Sequence, residues 1–238
     1  MPMKKRKNLY ISMSQGEKVL GWLYLAFQLL ALPVVLIGVL TWIVDRLGCT
    51  LNDSVYQFVY HAVNFAVLVC IFHRFLRDSL VSAWRDKWNF LQAVVLGFVA
   101  FWACSKAFDW IVNLLHGELN NVNDSAVATM LRSNFLLMSI AVVVFAPLTE
   151  ELLYRGLIFR NLWQRSKAAA YLLSMAAFAL IHVLGYIGTT DPVTLLLCFI
   201  QYLPAGLCLA WTYSKADNIF APILVHALNN AIAIGLVR

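Results

Sequence analysis

Glu150, Glu151 and Arg155 stand where an apolar run from Phe135 to Leu148 ends. Ionisable side chains at membrane depth are costly, so they mark sites and take partners. On a helix, Glu151 and Arg155 are i and i+4 with the acid on the N-terminal side, the favourable order for an ion pair. Glu150 and Arg155 are five apart, roughly 140° round the axis, on different faces. Arg155 therefore neutralises Glu151, and Glu150 is left without a local counter-charge and aimed elsewhere.

His182 is a partner for Glu150 by spacing. With a helix–helix turn at Ser166, Glu150 lies 16 residues before it and His182 lies 16 after it. Antiparallel helices of equal rise put both at one depth, roughly 24 Å from the turn. Alone, His182 reads as a core histidine bonded to a backbone carbonyl. The matching depth turns it into a partner. His226 and Asn230 are i and i+4 on a later apolar helix and project from one face. Such a pair is commonly interhelical glue, but here it adds donors beside a carboxylate and an imidazole. The chemistry expected is water activation. Glu150, helped by His182, holds and deprotonates a water, and His226 and Asn230 donate to the oxyanion formed on a carbonyl. No serine or cysteine sits at a comparable constellation, so no covalent step is expected.

These residues need membrane-embedded elements to position them. The 238-residue chain is 62% hydrophobic and 13% charged, against about 25% charged in soluble domains. It reads as an all-α integral membrane protein, a bundle of about seven to eight transmembrane helices. The five cysteines form no CxxC motif and read as small apolar residues, not a disulfide or zinc framework. Expected spans are Val19 to Val44 as one retained first span after the basic Lys4–Lys7 leader, Val55 to Phe72, and Phe90 to Val112. Beyond these lie the segment from Asn134 into the Glu150 stretch, Ala168 to Leu184, Pro192 to Tyr213 and Ile219 to Val237. His73 to Asn89 reads as an interfacial amphipathic helix, and Asn113 to Ser133 as the longest polar loop. Pro147 is expected to kink its helix or to start a new one. Lys106 and Asp109 read as a structural ion pair, and His61, His73 and His116 as interfacial or loop residues.

Charge placement sets the expected orientation. With the N-terminus inside, 14 lysines and arginines fall in inner segments. The outer segments hold only Arg46, Arg132 and Arg238. The N-terminus is therefore expected in the cytosol. The net charge of +6 follows this membrane rule, and no nucleic-acid partner is expected.

In order, Glu150-Glu151-x-x-x-Arg155, Phe178-x-x-x-His182 and His226-x-x-x-Asn230 resemble the three motifs of the CPBP family, the CAAX proteases and bacteriocin-processing enzymes also called Abi. The resemblance covers about Asn134 to Val237. It implies 1–133 as N-terminal membrane helices and 134–238 as the catalytic helical core of one membrane domain. It implies an intramembrane endopeptidase, similar to CAAX prenyl-protein proteases. Glu150 and His182 would activate water there, His226 and Asn230 would form the oxyanion hole, and Glu151, Arg155 and Phe178 would support them. It also implies a peptide or protein substrate entering from the membrane or cytosolic side of a bacterial cell membrane. Glu150, His182 and His226 could together hold Zn²⁺ in a metalloprotease; a metal-free, glutamate-dependent route is preferred. The alternatives are a non-catalytic immunity or regulatory protein of the bacteriocin self-immunity type, and a proton-relay transporter. The transporter is disfavoured by the lack of inverted repeats.

Overall fold

The computed structural model describes residues 9–117 and 119–237; the Lys4–Lys7 leader lies outside them. The architecture is all-helical. Helix α1 (Gln15–Leu30) is opened by a reciprocal cap in which Ser14 Oγ accepts from the Glu17 N–H and Glu17 Oε2 accepts from the Ser14 N–H. It is followed by α2 (Leu32–Leu47), α3 (Asp53–Ile71), α4 (His73–Arg85), α5 (Lys87–His116) and α6 (Val122–Ser133). A 29-residue helix α7 (Phe135–Trp163) carries the glutamates. Then come α8 (Lys167–Leu184), α9 (Pro192–Ala216) and α10 (Phe220–Val237).

Among the described residues, α3, α5, α7, α8 and α9 are long and apolar enough to cross a membrane, which makes five spans, or six with the bent pair α1–α2 as one. With the shorter apolar Phe220–Leu236 the count is near the expected seven to eight. This is an integral membrane protein.

Two expectations are corrected. The first apolar stretch is not one rod but bends by 62° between α1 and α2. Pro33 cannot donate to the Leu29 carbonyl, and Ala31 leaves the helical region at φ −127°. The stretch Asn113 to Ser133 is not a loop throughout. Asn121 Oδ1 caps the amides of Asn123 and Asp124 and starts α6. Pro147 stands in the first turn of the α-helical segment Ala146–Glu151, which resumes inside α7. A wide π-helical turn, Ala141–Phe145, lies just before the proline, and a second spans Leu152–Phe159. The wider turn takes the proline ring away from the carbonyl it would strike in a regular α-helix.

Side-chain hydrogen bonds define the two ends of the bundle. At one end Asn89 reaches the Lys215 carbonyl, Asn218 the Ser79 carbonyl, and Arg160 the carbonyls of Leu9 and Ile11. At the other, Asn121 donates to Gln201 and Ser54 to the Met130 carbonyl. The first end carries Lys18, Arg74, Arg77, Arg85, Lys87, Arg160, Arg165, Lys167 and Lys215 against Glu17, Asp78, Asp86 and Asp217. The α6 end carries Arg46, Lys106 and Arg132 against Asp45, Asp53, Asp109, Asp124 and Asp191. Among described residues, nine cations face four anions at the basic end, and three face five at the α6 end.

Three apolar clusters fill the interior among the described residues, the smallest made of Leu131, Met138 and Ile234. Leu68, Phe72, Phe75, Leu157, Phe159 and Tyr213 pack towards the basic end. Phe101, Tyr154, Phe178, Leu209 and Val225 pack around the glutamates. Helices α8 and α9 approach closely at Gly206, where a Cβ would meet the Met175 Cα at 3.0 Å.

Candidate active site

Glu151 and Arg155 are fully buried and paired. Arg155 Nη1 donates to Glu151 Oε1 at 3.0 Å, and Nη2 donates to the Gly206 carbonyl at 3.0 Å. Its guanidinium lies 4.5 Å over the Phe178 ring. The expected pair holds, although Arg155 sits in a π-helical stretch and not in regular α geometry. His226 joins it through Nδ1, 3.1 Å from Glu151 Oε1. That link between the last helix and the glutamate pair has no signature in the sequence.

Glu150 faces the other way, towards His182. The turn at Ser166 is where the spacing puts it, with Ser166 Oγ capping α8 at the Ala169 amide. His182 Nε2 lies 3.8 Å from Glu150 Oε2, with the side chains 15% and 20% exposed. His182 Nδ1 is 2.7 Å from the Phe178 carbonyl. A carbonyl only accepts, so Nδ1 carries the hydrogen and Nε2 of the neutral ring is left as an acceptor. Both readings of His182 therefore hold, the backbone-bonded core histidine and the partner of Glu150. Glu150 Oε2 is enclosed, and among the described residues it has no hydrogen-bond partner. Two acceptors thus confront each other beyond direct hydrogen-bond range. A water donating one hydrogen to each fits that arrangement.

Asn230 is placed by Pro147. In the π-helical turn the Ala146 N–H reaches back five residues to the Ala141 carbonyl. The next position is Pro147, which has no N–H for the Val142 carbonyl. Asn230 Nδ2 supplies the missing donor to that carbonyl at 2.9 Å. One N–H of Asn230 is so committed and the other remains. Likewise one nitrogen of His226 is committed to Glu151, leaving Nε2. Thr149 Oγ1 adds bonds to the Phe145 and Ala146 carbonyls, both at 2.9 Å.

A cavity of about 510 Å³ joins these groups, with Glu150, His182, His226 and Asn230 all in its wall. The structure brings together every residue singled out from the sequence. Phe178 lies between the imidazoles, 4.7 Å from the His182 ring and 5.7 Å from that of His226. Two wall residues were missed. His61, expected to be interfacial or in a loop, sits inside α3 and lines the cavity. Tyr202 stacks on His182 with centroids 4.1 Å apart. Tyr202 has no polar neighbour at i±3 or i±4, and His61 has Gln57 and Asn64 at helical spacing, a signal that could have found it. Lys106 and Asp109 form the expected ion pair at 3.8 Å, also in the cavity wall.

Residues 132–232 match the family model described as type II CAAX prenyl endopeptidase, Rce1-like. Over this segment the chain resembles that family. Two Lactococcus lactis (strain IL1403) proteins are similar. UPF0177 protein YxdF is 36% identical over 87 residues, 37% of this chain and 42% of that protein. UPF0177 protein YbdI is 28% identical over 133 residues, 56% of this chain and 64% of that protein. The match thus spans less than two thirds of either relative. No solved structure matches the chain.

Zinc finds no ligand set here. A catalytic zinc needs its protein ligands aimed at one point at about 2.0–2.2 Å. Among the described residues no group of three His, Cys, Asp or Glu could hold a metal ion.

Proposed function

We propose that the protein is an intramembrane endopeptidase that hydrolyses peptide bonds with a water activated by Glu150 and His182. The observation that carries this reading is Glu150 Oε2, without a hydrogen-bond partner among the described residues, 3.8 Å from His182 Nε2 in the wall of the cavity. The Rce1-like match over the same helices supports it.

The water donates one hydrogen to Glu150 and one to His182, which aims its lone pair at the substrate carbonyl carbon. As the C–O bond forms, Glu150 takes the proton. The carbonyl oxygen becomes an oxyanion, met by the uncommitted N–H of Asn230 and by Nε2 of His226. With Nδ1–H held by Glu151, Nε2 donates only in the doubly protonated imidazole. Collapse of the tetrahedral adduct breaks the C–N bond, and Glu150 returns its proton to the leaving amine. A carboxyl and an amine are released, and one water is consumed. Glu151, Arg155 and Phe178 hold His226 and the glutamate helix in place.

The bacterial relatives support a bacterial cell membrane as the location. The test is to compare peptide termini by mass spectrometry in cells carrying the protein and its Glu150→Gln variant. Termini that vanish with Glu150→Gln support the hydrolase. Termini that persist overturn it and favour a non-catalytic immunity or regulatory role.

A further inference from the structure

The cavity has a direction. From the Glu150–His182 pair it runs to Lys106, Asp109 and Asp124, all at the α6 end. Helix α8 gives the same answer by length. His182 lies two residues from its α6-end terminus at Leu184 and fifteen from Lys167 at the basic end, about 3 Å against about 22 Å of helix. Towards the basic end the path is closed by buried side chains, among them Leu157, Phe159 and Tyr213.

We propose that substrate reaches Glu150 from the α6 end and that this end faces away from the cytosol. Lysine and arginine gather on the cytosolic side of membrane proteins, and among the described residues the basic end holds nine of them and the α6 end three. The substrate class is then an extracytoplasmic peptide segment, of an exported chain or of the outer part of a membrane protein. A cytosolic prenylated tail would arrive at the wrong face. The chemistry of the mouth agrees with a polypeptide guest. Gln201 and Asn229 offer amide donors and acceptors for a peptide backbone, and Lys106 with Asp109 and Asp124 offers both signs of charge. Tyr202 ties the mouth to the chemistry. Its hydroxyl donates to Asp124 Oδ1 at 2.6 Å while its ring lies on His182.

The word substrate rests on the hydrolase reading; the direction of access does not. The test uses the full chain in a bacterial host with Cys49, Cys70, Cys104, Cys198 and Cys208 replaced. Single cysteines are then returned by Ser125→Cys at the α6 end, Arg165→Cys at the basic end and Ala128→Cys in the cavity wall. Intact cells are treated with a membrane-impermeant maleimide for the two ends and a small cationic methanethiosulfonate for the cavity. Ser125→Cys and Ala128→Cys should react without permeabilisation, and Arg165→Cys only after it. Any other pattern overturns the proposal. Terminal profiling gives the second arm. Termini lost with Glu150→Gln should lie in extracytoplasmic segments, and their confinement to cytosolic ones overturns the assignment. Labelling as expected with termini unchanged by Glu150→Gln sinks the hydrolase reading and leaves the access face standing. Reversed labelling with termini lost does the opposite.

Discussion

The Tyr202 ring lies nearly parallel to that of His182, 4.1 Å away at 26°. His182 is thereby held from two directions, by this stack and by the bond from Nδ1 to the Phe178 carbonyl. An aromatic pair contributes about 0.5–1.5 kcal/mol, equivalent to roughly 2- to 10-fold in rate if it serves only to orient the imidazole. Tyr202→Leu should lower kcat by that factor with little change in KM. Tyr202→Phe, which keeps the stack and loses the bond to Asp124, should retain most of kcat. Equal losses in the two variants would refute the positioning role.

Glu150→Gln removes the proton acceptor and keeps the shape. A general base contributes about 10²–10⁴-fold, so cleavage should fall at least about 100-fold with the protein still folded in detergent. Cleavage within a few-fold of the parent would end the mechanism.

Asn230 carries two duties, and a cycle with Pro147 separates them. Asn230→Ala leaves the half-buried Val142 carbonyl without this donor, at a cost of about 1 kcal/mol, and removes an oxyanion donor, at about 10²–10³ in kcat. Adding Pro147→Ala supplies a backbone N–H for that carbonyl. The double variant should recover thermal stability relative to Asn230→Ala and remain inactive. Additive losses of stability would show that Pro147 does not set the place of Asn230.

Arg155→Ala strands Glu151 in a fully buried position. Breaking one partner of such a pair costs about 3–5 kcal/mol. Arg155→Lys should recover little, since one ammonium cannot span Glu151, Gly206 and the Phe178 face together. Thermal unfolding in detergent measures both. A midpoint near that of the parent for Arg155→Ala would mean that Glu151 is not ionised there.

The glutamate–histidine encounter was legible in the sequence because helical rise is regular. Equal counts from Ser166 put Glu150 and His182 within 3.8 Å, even with a π-helical stretch on one side. Glu151 and Arg155 followed from i, i+4 spacing alone. The bend at Ala31 was hidden because hydropathy counts residues and ignores a proline's missing hydrogen bond. Helix α6 was hidden because Asn, Asp and Ser are also the residues of loops; only the capping geometry at Asn121 separates the two cases. The π-helical turns left no composition signal, and the role of Pro147 emerges only beside Asn230. The value of His61 and Tyr202 depends on which helices pack together.

The length of α8 bears on the lipid around the molecule. It has 18 residues, about 27 Å of rise. A typical hydrocarbon layer is about 30 Å thick. Local thinning of the surrounding acyl chains takes up that small difference, at fractions of a kcal/mol for each ångström of mismatch. Short-chain phospholipids should relieve that deformation and long-chain ones should deepen it, so acyl length becomes a handle on where the molecule settles among membranes of different thickness.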